Sequence, residues 1–159
     1  MIFRTATRRD LPAVLALLAD EDTVVDPGSI VVGAAYEAAF AAIDADPRNE
    51  LLVLDGGDGT VLGSLQLTYV PGLGRGGAER ALIEAVRVRA DRRGEGLGRQ
   101  LLTAALERAR ARGCALVQLT SNKDRDRAHR FYGSLGFVGS HDGFKLTLDP
   151  PAGPARRPR

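Results

Sequence analysis

The segment from Glu84 to Leu102, EAVRVRADRRGEGLGRQLL, constrains the fold most, because it joins an alternating strand to a glycine-rich turn and an amphipathic helix. Residues Ala81 to Val88 alternate and end in β-branched residues, which predicts a half-buried strand. Apolar residues then recur at helical spacing from Leu97 to Ala109, and Gly113 is the expected helix end. Such a unit presents backbone N–H groups to an anion at the helix N-terminus.

Three alternating glycines, Gly94, Gly96 and Gly98, leave the amides of this turn open to close approach by a ligand. Arg93 and Arg99 add positive charge beside them. The alternative is a plain turn that needs glycine only for its backbone dihedrals, but such a turn does not require three glycines. The pattern therefore predicts a phosphate-binding loop.

Two common phosphate-binding motifs do not fit this loop. A Walker A motif needs GxxxxGK followed by Ser or Thr, and the chain has no Lys-Ser or Lys-Thr pair. A dinucleotide fingerprint would need glycine at Arg99 when counted from Gly94. The pattern that fits is R-x-x-G-x-G, carried by Arg93, Gly96 and Gly98. On this motif the chain resembles the GNAT superfamily of N-acetyltransferases, whose pyrophosphate-binding motif for acetyl-coenzyme A has this form.

A second match lies downstream, where RAHRFYGSLGF (Arg127 to Phe137) is similar to the family's later helix with its aromatic pair. Between the two motifs, Cys114 to Thr120 predicts a buried strand. The resemblance covers residues 1–148, which we expect to form a single N-acetyltransferase domain, followed by a flexible Pro/Arg-rich tail at 149–159.

The resemblance implies an α/β (α+β) fold, with a mixed, largely antiparallel central sheet of six to seven strands and helices on both faces. Patterning alone predicts early strands at Ile2–Ala6, Leu51–Leu54 and Val61–Tyr69. Helices are expected from Leu11 and over Val32–Ala45. The segment Phe137–Leu148 reads as one or two closing strands.

Acetyl transfer from a thioester to an amine needs a neutral amine, a stabilised oxyanion and a proton for the departing thiolate. By resemblance, Glu84 is the candidate base and Tyr132 the candidate acid. The alternative for Glu84 is a solvated strand carboxylate, or one paired with an arginine such as Arg80. The alternative for Tyr132 is a core aromatic on the stripe that also carries Phe131.

The resemblance also implies the residues that hold acetyl-coenzyme A, a co-substrate. The backbone of Val86, Arg87 and Val88 would pair with the pantetheine amides. The loop would hold the pyrophosphate through Arg93, Gly94, Glu95, Gly96, Gly98 and Arg99. Asn122 would reach the pantetheine arm, with a turn or capping role as the equal alternative.

Direct attack in a ternary complex is favoured over an acyl-enzyme, because Cys114 reads as a buried strand residue with no evident activating base. His129 and His141 are too few and too isolated for a zinc site, so no metal is expected. A non-catalytic acyl-coenzyme A sensor or interaction module of the same fold is the rival interpretation.

Net charge and composition limit the classes of partner that we expect for this chain. The chain has 159 residues and a net charge of +2, and without the three tail arginines Arg156, Arg157 and Arg159 the net charge is −1. We therefore expect no nucleic-acid partner. The lone Cys114, the lack of an apolar N-terminal run and the lack of a membrane-spanning stretch favour a cytoplasmic protein without a membrane partner.

The acceptor is expected to be a small-molecule or peptide amine. The resemblance also allows a homodimer. An acidic stretch between the first two helices either attracts a cationic amine or is simply solvated; its residues are Asp20, Glu21, Asp22 and Asp26.

Overall fold

The computed structural model of the chain describes residues 1–20 and 23–148. Contacts divide the chain into two compact units, the first spanning Met1–Thr120 and the second beginning at Ser121. The strands, all in the first unit, are β1 (Ile2–Thr5), β2 (Asn49–Asp55), β3 (Val61–Val70), β4 (Arg80–Val88) and β5 (Leu116–Leu119). The helices are α1 (Leu11–Ala19), α2 (Ala34–Ala45), the single turn α3 (Gly74–Gly77), α4 (Leu97–Ala111) and, in the second unit, α5 (Asp126–Gly133). Short 3-10 helices occupy Arg8–Asp10, Pro27–Ser29 and Ala90–Arg92.

The sheet has the order β1-β2-β3-β4-β5, with the first four strands antiparallel and β5 parallel to β4. The tight β2–β3 connection is closed by Asp55, whose carboxylate accepts the N–H groups of Gly57 and Gly59 at 2.8 and 3.0 Å. The parallel β4–β5 pair is linked by a helical crossover, as parallel strands require. The predicted mixed, largely antiparallel sheet is confirmed.

Helices cover both faces of the sheet, which the sequence also predicted. On one face, α4 buries the apolar stripe that includes Leu101 and Leu102, both at 0% exposure. Gly63 of β3 faces that stripe, since a Cβ there would lie 3.7 Å from Leu101 Cδ2. On the other face, Val14 and Leu17 of α1 form a cluster with other buried residues, Ala6, Val53 and Val61.

The prediction of six to seven strands is wrong, because the sheet formed by the described residues has five strands. Residues 138–148, within the predicted closing strands, form no helix or strand. Their large apolar side chains are 77–94% exposed, namely Val138, Phe144, Leu146 and Leu148. Alternation makes a segment compatible with a strand, but a strand forms only where its N–H and C=O groups pair with a neighbour. Gly139 and Gly143 weaken the strand preference of this segment further.

Arg4 of β1 neutralises two buried carboxylates near the start of the chain. Its guanidinium contacts both oxygens of Asp10, at 2.8 and 2.9 Å, and Oδ2 of Asp55 at 2.9 Å. The Thr7 N–H and hydroxyl also donate to Asp10 Oδ2, at 2.7 and 2.9 Å. The Arg4 hydrogen bonds, ahead of those from Thr7, lower the pKa of Asp10 from 3.8 to about 2. This cluster joins β1, α1 and the β2–β3 turn.

We predict that this cluster makes stability acid-sensitive. Because the folded pKa of Asp10 lies below its unfolded value, its contribution is fully present above about pH 4 and is lost as the pH falls through about 2. The free energy of unfolding in urea should therefore decrease over this range. Asp10→Asn should cost about 2 kcal/mol at pH 7 and should show a flatter pH dependence.

The matched control is Asp44→Asn, because Asp44 is an exposed carboxylate on α2. It should leave the free energy of unfolding within about 0.5 kcal/mol of the parent. Equal stability of Asp10→Asn and the parent at pH 7 would show that the cluster contributes nothing.

Candidate functional site

The central feature of the site is a bulge in β4. Gln66 of β3 lies opposite Glu84, and Ser64 lies opposite Arg87, so β4 has one residue more than β3 between these pairs. Ala85 takes up the extra residue with a φ of 51°. Since directly paired residues share a sheet face, the bulge places Glu84 and Arg87 on the same face.

That face is the one away from α4. Val88 pairs with Gly63, and a Cβ on Gly63 would lie 3.7 Å from both Leu101 Cδ2 and Val88 Cγ2. Val88 therefore points toward α4, and Arg87 points to the opposite face. Beside Glu84 that face is polar, since Gln66 Nε2 donates to Asn49 Oδ1 at 3.2 Å.

The second half of β4 has a strand on one side only. β5 pairs with β4 from Arg80 to Ile83, and within the described ranges no strand continues this pairing along Glu84–Val88. Two carbonyls of this half accept arginine donors, Val86 O from Arg87 Nη1 at 3.0 Å and Val88 O from Arg93 Nε at 3.2 Å. An extended ligand with its own amide groups can pair with such an open strand edge.

The predicted phosphate-binding loop, Arg93–Gly98, follows β4 and the short 3-10 helix Ala90–Arg92. Gly96 is the N-cap of α4 and, like Gly94, has a left-handed backbone, with φ of 80° and 89°. A Cβ added at either glycine would meet no atom within 4 Å, so the space above both is open. The first-turn amides of α4 have no acceptor within the helix, and this turn carries no acidic residue. The loop can therefore accommodate a diphosphate near the positive end of the helix dipole.

The buried carboxylate of Asp20 anchors the predicted phosphate-binding loop. From its sequence, Asp20 is expected to belong to an acidic stretch between the first two helices. The side chain of Asp20, at the end of α1, is 2% exposed. Its Oδ2 accepts the Ala90 N–H at 2.8 Å, and its Oδ1 accepts Arg93 Nη2 at 3.1 Å. Arg93 thus ties the loop to α1 and to the end of β4. No local pattern separates Asp20 from its acidic neighbours, of which Glu21 and Asp22 lie outside the described residues.

Other loop arginines are also neutralised locally. Arg92 donates to both oxygens of Glu95, at 2.9 and 3.0 Å. Arg89 forms a similar bond pair with Asp91, each at 2.7 Å. Arg99 lies exposed in the first turn of α4. Because much of the loop's formal charge is offset, its attraction for an anion depends chiefly on backbone amides.

Glu84 and Arg87 form no ion pair with any residue of the described chain, and they do not pair with each other. Glu84 is exposed and Arg87 is half-buried. The Arg80 partner weighed for Glu84 is not observed within residues 1–20 and 23–148. Glu84 is therefore accessible, as a base must be, while its catalytic role stays a prediction.

The remaining two predicted site residues belong to the second unit. Tyr132 is half-buried in α5, with its ring centroid 5.3 Å from that of Phe131 and 6.0 Å from that of Phe137. These contacts fit a packed aromatic, and the acid role of its hydroxyl stays a prediction. Asn122 Oδ1 accepts the Asp124 N–H at 3.1 Å, so its side chain stabilises the turn before α5. Its pantetheine contact also stays a prediction.

Cys114 is half-buried and precedes β5, so the prediction of a buried strand residue is wrong at this position. Burial raises the pKa of its thiol, which disfavours the thiolate that an acyl-enzyme would need. Within the described ranges, no three His, Cys, Asp or Glu side chains are grouped to hold a metal ion. No helix in this part of the chain has the length and apolar character to cross a bilayer.

The chain is similar to known proteins in sequence and in fold. Residues 14–137 match the family model described as the Acetyltransferase (GNAT) family. A structure of a transcriptional regulator from Bacillus halodurans C-125 superposes with a TM-score of 0.83 and 40% identity, over 92% of this chain and 99% of that one.

Two curated relatives are N-acetyltransferases. Glucosamine 6-phosphate N-acetyltransferase of Trypanosoma brucei brucei is 36% identical over 90 residues, which are 57% of this chain and 59% of the relative. Aminoalkylphosphonate N-acetyltransferase of Salmonella typhimurium is 45% identical over 56 residues, 35% of this chain and 36% of the relative. The matched part is thus less than two thirds of either relative.

The family match spans most of the chain and includes the bulged strand, the glycine loop and α4. The chain therefore belongs to the GNAT family of acetyltransferases.

Proposed function

We propose that the protein transfers an acetyl group from acetyl-coenzyme A to a primary amine, by direct attack of the amine within a ternary complex. The observation that supports this most is an open glycine-rich loop that follows a strand with an accessible carboxylate. Beside that carboxylate, the strand has one neighbouring strand within the described residues. The loop is Arg93–Gly98, the strand is β4, and the carboxylate is Glu84.

The proposed coenzyme-binding residues are those that the family resemblance implies. Amides of the loop and of Arg99 would hold the diphosphate, and the open edge at Val86–Val88 would pair with the pantetheine arm. Acetyl-coenzyme A supplies the thioester. The loop's fixed shape means that little order has to be created on binding, since Asp20 already holds Ala90 and Arg93.

Glu84 is the proposed general base. An alkylammonium with a pKa near 10 is mostly protonated at neutral pH, so a carboxylate that takes its proton, directly or through water, makes it a nucleophile. Glu84 forms no ion pair with a described residue, and it lies on the face away from α4. The amine would therefore approach from the face covered by α1 and α2.

Tyr132 is the proposed acid for the departing thiolate, on the family resemblance of α5. If that thiol resembles a cysteine, with a pKa of about 8.5, it can leave unprotonated at neutral pH at modest cost. The tyrosine would then assist turnover without being indispensable.

The acceptor is proposed to be a small amine. Both curated relatives are named for small amines that carry a phosphorus acid group, glucosamine 6-phosphate and an aminoalkylphosphonate.

The cytoplasmic location and the homodimer stay predictions. A coenzyme-sensing role is the second candidate, because the Bacillus halodurans structure is named a transcriptional regulator.

We predict that thiol release from acetyl-coenzyme A across an amine panel will require Glu84. Glu84→Gln keeps the size of the side chain but cannot accept the proton. It should lower kcat/KM about 100-fold at pH 7, and more at pH 6, where the free amine is scarcer. A rate profile from pH 6 to 9 that overlays the parent's would remove Glu84 as the base.

The matched control is Glu107→Gln, an exposed carboxylate on α4 with no role in the proposed site. It should behave as the parent does. Calorimetric binding of acetyl-coenzyme A without thiol release from any amine would favour the sensing role instead.

We predict that Gly96→Leu raises the KM for acetyl-coenzyme A about tenfold or more, because the side chain would enter the open space above the loop. Gly113→Leu is the control. Gly113 has a similar φ of 84°, also with no atom within 4 Å of an added Cβ. It follows the other end of α4, about 25 Å from Gly96. Both variants should lose about 1–2 kcal/mol of stability through backbone strain. Equal KM values for the two would argue against diphosphate binding at this loop.

We predict that Tyr132→Phe lowers kcat about tenfold while leaving the KM for acetyl-coenzyme A within about twofold. Tyr36→Phe on α2, where Tyr36 is 53% exposed, controls for loss of a phenol. A full rate in Tyr132→Phe at every pH would leave Tyr132 as a packing residue.

A further inference from the structure

The bulge in β4 brings two opposite charges to one face of the sheet, and neither forms an ion pair within the described residues. Glu84 and Arg87 lie on the same face, opposite Gln66 and Ser64 of β3. Two residues along a strand are about 6.7 Å apart, so the backbone positions of the two charged residues are separated by about that distance. Neither side chain forms an ion pair with a described residue.

Arg87 has hydrogen-bonding capacity to spare. Its Nη1 donates to Val86 O at 3.0 Å, and the guanidinium makes no other hydrogen bond with the described chain. A guanidinium has five N–H donors in a planar fork, which match the oxygens of a phosphate or carboxylate. It is also always charged, and a half-buried charge without an anionic partner is unfavourable.

We propose that Arg87 binds an anionic group on the acceptor, so that the preferred acceptor is a small amine that also carries a phosphate, a phosphonate or a carboxylate. The amine would lie at Glu84 and the anion at Arg87, which limits the separation of the two groups to a few bonds. This inference rests on the proposed function, because it places the acceptor amine at Glu84.

The other arginine on this strand face provides a matched control. Arg80 precedes Glu84 by two strand alternations, so it also lies on the face away from α4, and it makes no ion pair within the described chain. Its backbone position is about 13 Å from that of Glu84, which is too far for a compact acceptor that Glu84 also contacts. Arg87 is thus close enough to Glu84 to bind the anionic group of the same acceptor, and Arg80 is too far away. A variant of Arg80 therefore serves as the control.

The experiment compares acceptors that differ in the anion alone. The phosphate arm pairs phosphoethanolamine with ethanolamine, and the carboxylate arm pairs β-alanine with propylamine. The parent protein should favour the anionic member of at least one pair, by about tenfold or more in kcat/KM. In Arg87→Leu that preference ratio should fall about 10- to 100-fold, and in Arg80→Leu it should stay as in the parent. The ratio cancels any loss common to both acceptors, including a weaker coenzyme site.

Binding of phosphoethanolamine and β-alanine, measured by calorimetry with coenzyme A present, separates this inference from the proposed function. If neither amine is acetylated but one binds and Arg87→Leu weakens that binding, the inference holds and the proposed function fails. If neutral amines are acetylated as well as anionic ones, the function holds and the inference is overturned. Loss of the preference in Arg80→Leu but not in Arg87→Leu, or no binding of either anionic amine, would also overturn it.

Discussion

The pairing of β3 with a β4 that is one residue longer is the constraint on which the site depends. The extra residue, Ala85, reverses the alternation of β4 partway along the strand. As a result, a carboxylate and a guanidinium share the face turned away from α4, while Val88 packs toward that helix. The two strands approach each other closely at Gly63 of β3. A Cβ there would lie 2.8 Å from the carbonyl oxygen of Arg87. Glycine is therefore needed at that position for β4 to keep this path.

The far end of α4 is fixed by a polar network, which in turn fixes the helix axis that points at the loop. Tyr69 of β3 donates its hydroxyl to Glu50 Oε1 at 2.6 Å, and Arg108 of α4 pairs with the same carboxylate. Arg112 lies over the Tyr69 ring at 4.0 Å and donates to Glu79 at 2.8 Å. Burial, ahead of the Glu50 hydrogen bond, raises the pKa of Tyr69, so the phenol stays a donor. The N-terminus of α4 is thus held in place from the opposite end.

Two arginines of the loop region are paired with carboxylates of the chain itself. Asp20 and Glu95 occupy Arg93 and Arg92, so the arginines chiefly shape the loop. Oriented amides keep their direction without a side-chain entropy cost, and they contact an anion at short range. On the strand face the arrangement is the reverse, since Glu84 and Arg87 form no ion pair with any residue that the structure describes. Under the proposed function, chemistry at the acceptor would depend on side chains, and coenzyme binding would depend on the backbone.

Much of the fold and part of the site follow from local sequence pattern. The period of the apolar residues predicted α1, α2 and α4 and the first four strands, and the R-x-x-G-x-G spacing located the loop before any coordinates. These features depend on residues within a few positions of one another, which is why sequence alone determines them. The prediction of extra strands failed at residues 138–148, because a strand also needs a partner, and the apolar alternation there does not specify one.

Only the tertiary structure decided three further features. It buried Asp20 beneath the loop, joined to Arg93 across 73 positions of sequence. It brought Glu84 and Arg87 to the same face, although strict alternation from Ala81 to Val88 would place them on opposite faces. It also left the second half of β4 with one neighbouring strand among the described residues. Each depends on how one segment registers against a distant one, and register is set by packing across the sheet, which no local pattern encodes.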